Sequence, residues 1–358
     1  MNNGYEKKLT VENVIYGGFV KYDRLQQQVF NTFSNTSIAA ATHLNVFVDL
    51  YSILKSVFSE HNIIDISDYT AVTSGVINLC SHYRGFFKRL GVHTTFYLIA
   101  SLNICDINRK FVMDYNEKYY SKFQIQKFAD MVNSNFDLLE LLCPYLPDIH
   151  FVKSSRNFET SVIMAHIIET LNDGQPNLII SRDLYPLQLC YQYPYTSYLY
   201  PLKKFGVDES IMVPIYEKPS FRAEFWNLVS KVRKFDVNTV LEISPVNYVL
   251  FSAMNRFPER YITGITNVVS TKNYIRNIVG GEDIIIQPAQ LYENNSANLQ
   301  VSVIESRMKA LDVQFMLPYY RNDPESRSIQ FKNLRDDSVI NMINARFFAH
   351  NPIDVSKL

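Results

Sequence analysis

Cysteine is scarce and scattered. The four residues in 358, Cys80, Cys105, Cys143 and Cys190, form no Cys-x-x-Cys pair. That excludes a disulfide framework and a thiolate zinc site of ordinary spacing, and it fits a reducing compartment. The seven histidines make no His-x-x-x-His step. An excess of one charge is missing too, with 35 basic side chains against 35 acidic. No global positive field draws the chain to nucleic acid, so any such binding needs a local patch. No apolar run reaches the roughly 18 residues of a membrane span, and no signal-type apolar segment follows the N-terminus. The expectation is a cytoplasmic protein with no membrane partner.

What the chain has is length and aromatic residues. Its 358 residues suffice for one large domain or two modest ones with real cores. Tyrosine and phenylalanine stand at 24 each, a supply that suits interior packing better than a base-stacking surface. Residues 1–44 are rich in Asn, Gln, Thr and Ser, and read either as a partly ordered tail or as an arm that docks a protein partner.

Beyond the arm, helical and strand patterns alternate. Residues 45–49 (NVFVD) form a buried strand ending in Asp49, and a helix starts at once with LYSIL. Val72, Val76, Leu79, Tyr83 and Phe87 recur three or four apart across residues 68–90, an amphipathic helix stopped by Gly91. Residues 95–100 (TFYLIA) give a second strand, and 149–152 a third after a short helix over 136–147. Glu159 then opens a helix carrying Val162, Ile163, Ala165, Ile167, Ile168 and Leu171. Residues 177–189 (NLIISRDLYPLQL) run through Ile179 and Ile180 into Ser181, Arg182 and Asp183. Apolar strands of this kind belong to parallel sheets covered on both faces, whose chemistry lies outside the carboxyl ends of the strands. Asp49 and Asp183 stand at such ends. By its residues alone Asp49 can equally cap the helix that follows it.

The remaining chain reads as turns over 191–201, an edge strand over 211–215, and a helix over 221–234. Further helices are expected over 245–254, 299–311 and 337–348, with turns at 294–296 and 322–324. Residues 108–128 are charged, aromatic and helical in period.

The order of these segments resembles the 5′-nuclease family: flap endonucleases, phage 5′-exonucleases and the 5′-nuclease domain of bacterial DNA polymerase, relatives of PIN domains. The resemblance rests on Glu159 before its helix and on the Ile-Ile strand ending in Ser-Arg-Asp with Gln188-Leu189 five residues on. Family members read E-A-D-D and G-D-x-D-x-x-Q-L there. Residues 255–281 are similar to the family's helix–three-turn–helix, G-D-x-x-D-N-I-P-G-V-x-G-I-G-x-K-T-A. Ile262-Thr-Gly-Ile265 matches its first part and Ser270 to Ile278 its second helix, with Asn267 and Val269 where glycines are expected. A β-branched valine does not readily take positive φ and blocks close approach to phosphate.

The resemblance implies an α/β class: a PIN-like parallel sheet flanked by helices, plus a helix–three-turn–helix-like, helical C-terminal region. It divides the chain into an arm (1–44), the α/β core (45–244) and the C-terminal region (245–358). It implies metal-binding roles for Asp49, Glu159 and Asp183, and nucleic-acid contacts from Arg109, Lys110, Lys118, Lys122 and Lys272. The first four of those bases lie on the family's single-strand arch, with Lys127 beside them; without the resemblance they form a solvated helix face.

Family nucleases use two divalent ions about 3.5–4 Å apart. Each ion takes oxygen ligands, so the pair needs many carboxylates. Here Ala100-Ser101, Thr160-Ser161 and Tyr185 stand where further acids belong, and Arg256 and Glu259 replace the two aspartates before the hairpin. Three acids can serve one ion but not two. Clustered carboxylates repel one another without a cation, so a chain that abandons metal gains stability by losing them. The expectation is a pseudo-nuclease, not an efficient enzyme, needing no cofactor. It would bind DNA or RNA, or scaffold a replication or transcription assembly; its Asn-, Ile- and Tyr-rich composition points to an AT-rich genome such as a viral one. The alternative is a one-metal, Mg²⁺- or Mn²⁺-dependent 5′-nuclease acting on DNA or RNA.

Overall fold

The computed structural model describes residues 42–54, 69–101, 136–154, 158–204, 207–255, 264–280, 282–293 and 300–329, and most of 331–348 with Ile353. Residues 108–128, Arg256, Glu259 and Ile262 lie outside the described residues.

Six strands form one sheet in the order β3-β2-β1-β4-β5-β6. β1 (His43–Asp49) lies parallel between β2 (His93–Ala100) and β4 (Asn177–Ile180), and β3 (Ile149–Lys153) and β5 (Thr196–Lys204) extend the parallel ladder on either side. β6 (Val207–Val213) closes one edge antiparallel to β5. The alternation of apolar strands and helices thus yields the α/β class it implied, with one antiparallel edge.

Each central strand feeds two cores. Val46, Val48, Leu178 and Ile180 point into one cluster with Val76, Phe87, Phe136 and Leu139. Phe47 and Ile179 point the other way, into a cluster with Ile163, Trp226, Phe251, Ile304 and Leu317. That double burial is why these strands read as unbroken apolar runs.

The first face is covered by α1 (Tyr69–Arg89). This helix ends at Gly91, whose φ of 77° permits the left-handed turn that lets Val92 N–H reach Phe87 C=O. α2 (Thr160–Leu171), α3 (Phe221–Arg233), α4 (Tyr248–Met254), α5 (Val268–Val279), α6 (Val301–Leu311) and α7 (Val313–Asn322) contribute to the other core. α8 (Asp337–Phe347) returns to the first, through Ile340 and Ile343.

Three expectations are corrected. The stretch read as turns over 191–201 contains β5, whose Thr196–Leu199 segment pairs with β4. Its Pro201 falls beyond that parallel ladder, where a missing N–H does least harm. β1 begins at His43, two residues before the strand read over 45–49. The turn expected at 322–324 narrows to Asp323, between α7 and a further short helix, Pro324–Ser328.

Among the described residues no helix is long and apolar enough to cross a membrane.

Because Ile179 is fully buried in a strand paired on both sides, Ile179→Ala is expected to cost about 2–5 kcal/mol. Urea unfolding should show this as a lower midpoint with an unchanged slope.

Candidate functional site

The chain runs from β1 outward through β2 and β3, then returns to place β4 on the other side of β1. The carboxyl ends of β1 and β4 therefore flank the point where strand order reverses, the place where open α/β sheets form a crevice. Asp49 and the Ser181–Asp183 turn stand there.

Asp49 is fully buried. Its Oδ1 accepts the Ser52 N–H at 3.1 Å, an N-cap bond to the helix that starts at Leu50. Its Oδ2 accepts the Ser181 hydroxyl at 2.8 Å. With its proton on Asp49, Ser181 Oγ offers lone pairs to Asp183 N–H at 3.0 Å and to the Ser52 hydroxyl at 3.0 Å. Arg182 N–H in turn donates to Ser52 Oγ at 3.0 Å. Two serines thus tie the ends of both strands to one carboxylate. Burial, and then the nearby charge of Asp183, push the Asp49 carboxyl up to about 6.

Asp183 is almost wholly buried, and its Oδ1 accepts the Tyr185 N–H at 3.0 Å. Its backbone carbonyl accepts the Tyr198 hydroxyl, which also lies 3.0 Å from the Ser181 carbonyl. Tyr185, in the place of a family acid, is buried, with its hydroxyl on the Ala310 carbonyl at 3.2 Å. Gln188 donates to the carbonyls of Tyr185 (3.1 Å) and Leu311 (3.0 Å). Its Oε1 accepts Val313 N–H at 3.0 Å, so it binds this loop to the α6–α7 junction. Tyr248 of α4 adds a bond to the Leu184 carbonyl at 3.2 Å.

Glu159 is also buried, at the N-cap position of α2, and its side chain makes no capping bond. Ser101, at the end of β2 where a family acid is expected, donates instead to the Phe158 carbonyl at 2.6 Å. Asp49 thus lies at the carboxyl end of β1 and Asp183 three residues past β4, while Glu159 opens α2 six residues past β3. Among the described residues, however, no group of three or more His, Cys, Asp or Glu side chains converges as metal ligands. Both oxygens of Asp49 already accept protein hydrogen bonds. These residues do not fit a two-ion centre.

Lys272 lies on α5, 3.8 Å from Glu242, which also meets Arg276 at 3.2 Å. One carboxylate therefore balances both bases of this helix. Asn267 caps α5 by accepting the Ser270 N–H at 2.9 Å, with φ at −83°, and Val269 lies in the first turn. The positive φ that would exclude valine does not arise here. Arg109, Lys110, Lys118 and Lys122 fall outside the described residues.

Ser52 and Tyr198 were missed as members of this network. For Ser52 a signal exists: it is the third residue after Asp49, where a helix cap bonds the backbone N–H. Tyr198 sits in the strand that had been read as turns.

No protein-family model matches the chain, and no curated protein matches it. Solved structures do. The chain is similar to the bacteriophage T5 5′-exonuclease with zinc bound, at 13% identity over 78% of this chain and 90% of that one, with a TM-score of 0.46. It is similar to the T5 flap endonuclease in a pseudo-enzyme–product complex with DNA and metal ions, at 13% identity, the same coverage and a TM-score of 0.45. A mutant of the T5 5′-exonuclease matches at 11% identity over 78% of this chain and 89% of that one, with a TM-score of 0.42. Likeness at this level does not carry residue roles across.

The Asp49 environment has a pH signature. A carboxyl whose midpoint rises from 3.8 to about 6 on folding binds protons more tightly folded than unfolded. The contribution of this group to stability is then fully present below about pH 4, is lost as pH rises through about 6, and levels off above. The loss is on the order of 3 kcal/mol. Asp49→Asn should flatten this step in urea melts run from pH 4.5 to 7.5. Asp183→Asn keeps an acceptor for Tyr185 N–H but removes the neighbouring charge, so it should move the step toward lower pH without abolishing it. An unchanged step in Asp49→Asn would assign it to another group.

Proposed function

We propose that this protein is a pseudo-nuclease: a 5′-nuclease-like α/β protein that serves as a non-catalytic binding or scaffold subunit in a nucleic-acid-handling assembly. The observation that carries the reading is the state of Asp49. A metal-binding aspartate needs oxygens open toward an ion. Here each oxygen accepts a protein hydrogen bond, from the Ser52 amide and the Ser181 hydroxyl, and the carboxylate is fully buried away from solvent. Tyr185 and Ser101 support it, since each stands in the place of a family acid and holds a backbone carbonyl instead. The division into arm, core and C-terminal region, the cytoplasmic setting and a replication or transcription context belong to this proposal. So does a protein partner for residues 1–44.

One observation favours the one-metal nuclease as a second reading. The charge of Asp183 acts on Asp49 within the crevice, and a cation beside Asp49 would relieve it. Two measurements separate the readings. Under the pseudo-nuclease reading, single-stranded, flap and RNA substrates stay intact in Mg²⁺ or Mn²⁺, and millimolar Mg²⁺ leaves the melting temperature unchanged. Metal-dependent cleavage lost in both Asp49→Ala and Asp183→Asn would overturn it, and ligand linkage would then raise the wild-type Tm.

The α5 region yields its own expectation. With Lys272 near Glu242, Lys272→Ala should alter flap or duplex DNA binding by less than about twofold at low salt, as read by fluorescence anisotropy. Tight, steeply salt-dependent binding abolished by that substitution would show a working phosphate contact.

A further inference from the structure

β1 and β2 begin on histidines. His43 and His93 are register partners at the amino edge of the sheet, the end away from Asp49. Their rings stack with centroids 5.1 Å apart and 28° between planes. Nδ1 of one faces Nδ1 of the other at 3.1 Å. His93 turns its second nitrogen, Nε2, to the Asp148 carboxylate at 3.2 Å. Asp173 and Asp148 both act on His43 through their charge. Asp173 is itself held in place by Asn45 Nδ2 at 3.2 Å and Gln175 N–H at 3.0 Å.

Two imidazoles meeting nitrogen to nitrogen can share a proton or an ion. The Asp148 contact selects between tautomers of His93. A proton on Nε2 facing the carboxylate leaves the Nδ1 lone pair directed at His43. This carboxylate–imidazole arrangement is the one that orients and strengthens metal-bound histidines. The spacing fits as well. Two nitrogens about 2.0–2.1 Å from one ion stand roughly 2.9 Å apart at a right angle and 3.4 Å apart at a tetrahedral one. The observed 3.1 Å lies between them. Asp148 and Asp173 supply the negative field that a dication needs. The His93 side chain is 56% exposed, so the position is open to solvent and to exchange.

We propose that His43 and His93 form a surface site for a borderline divalent transition metal, Zn²⁺ above all, with Asp148 orienting His93 and water completing the shell. No third side chain of ligand type joins them among the described residues, so the ion keeps open positions. Imidazole prefers Zn²⁺, Ni²⁺ and Cu²⁺ over Mg²⁺ and Mn²⁺, which separates this edge from the oxygen-only crevice around Asp49.

The test is calorimetric titration of the full chain with Zn²⁺ near pH 7.5, alongside NMR of the imidazole nitrogens. Wild type should bind one ion per chain, shifting the Nδ1 resonances of two histidines, while Mg²⁺ gives no such shift. His43→Ala and His93→Ala should each weaken binding at least tenfold with unchanged circular dichroism. Asp148→Asn, which keeps both imidazoles, should weaken it about tenfold. Zn²⁺ binding unaltered in both histidine variants would overturn the proposal. So would absence of binding in wild type, which would leave the pair sharing only a proton.

Discussion

The hydrogen bond from the Ser181 hydroxyl to the Asp49 carboxylate joins parts of the chain 132 residues apart. It spans the carboxyl ends of β1 and β4, the two strands whose adjacency makes the sheet reverse direction. Around it the Ser52 hydroxyl and the amides of Arg182 and Asp183 find partners in a region shut off from water. An unpaired polar group there would cost about 1–3 kcal/mol, so the network holds together only when all its members are present. The charge of Asp49 makes its bonds stronger than neutral ones while making its burial costly. The raised carboxyl is the visible result of that balance.

The loop after β4 is a hub of structural hydrogen bonds. In the Ser-Arg-Asp-Leu-Tyr-Pro-Leu-Gln-Leu stretch, Asp183 ties to a backbone amide, Tyr185 to the α6 terminus, and Gln188 to both sides of the α6–α7 junction. The Tyr185 phenol adds apolar contact with a polar tip that finds a carbonyl. Asp183 thereby fixes the turn of the loop, and Gln188 holds the C-terminal helices against the sheet.

Much of this architecture was legible in the sequence. β1, β2 and β4 announced themselves because burial on both faces leaves Val46-Phe47-Val48 and Leu178-Ile179-Ile180 without polar interruption. Helices such as α1 and α3 were placed within a residue or so by their apolar spacing and their stops. β5 was hidden because Pro194 and Pro201 punctuate the stretch as turns do, while the ladder that pairs Thr196–Leu199 with β4 is a long-range fact. The crevice was located through its acids, whose place at strand ends follows from the order of elements. Its hydrogen-bonding was not legible, since Ser52 and Ser181 meet across 129 residues and no local pattern announces such a contact.

The two rims of the sheet bear on how this protein meets others. β3 is only five residues long, and its last residue, Lys153, pairs with Asp137 at 2.6 Å. At the opposite rim, β6 runs antiparallel to β5. A strand as short as β3, with a charged residue at its end, offers a further chain little backbone to pair with. That rim is thus poorly suited to grow by strand addition, as filaments and swapped dimers do.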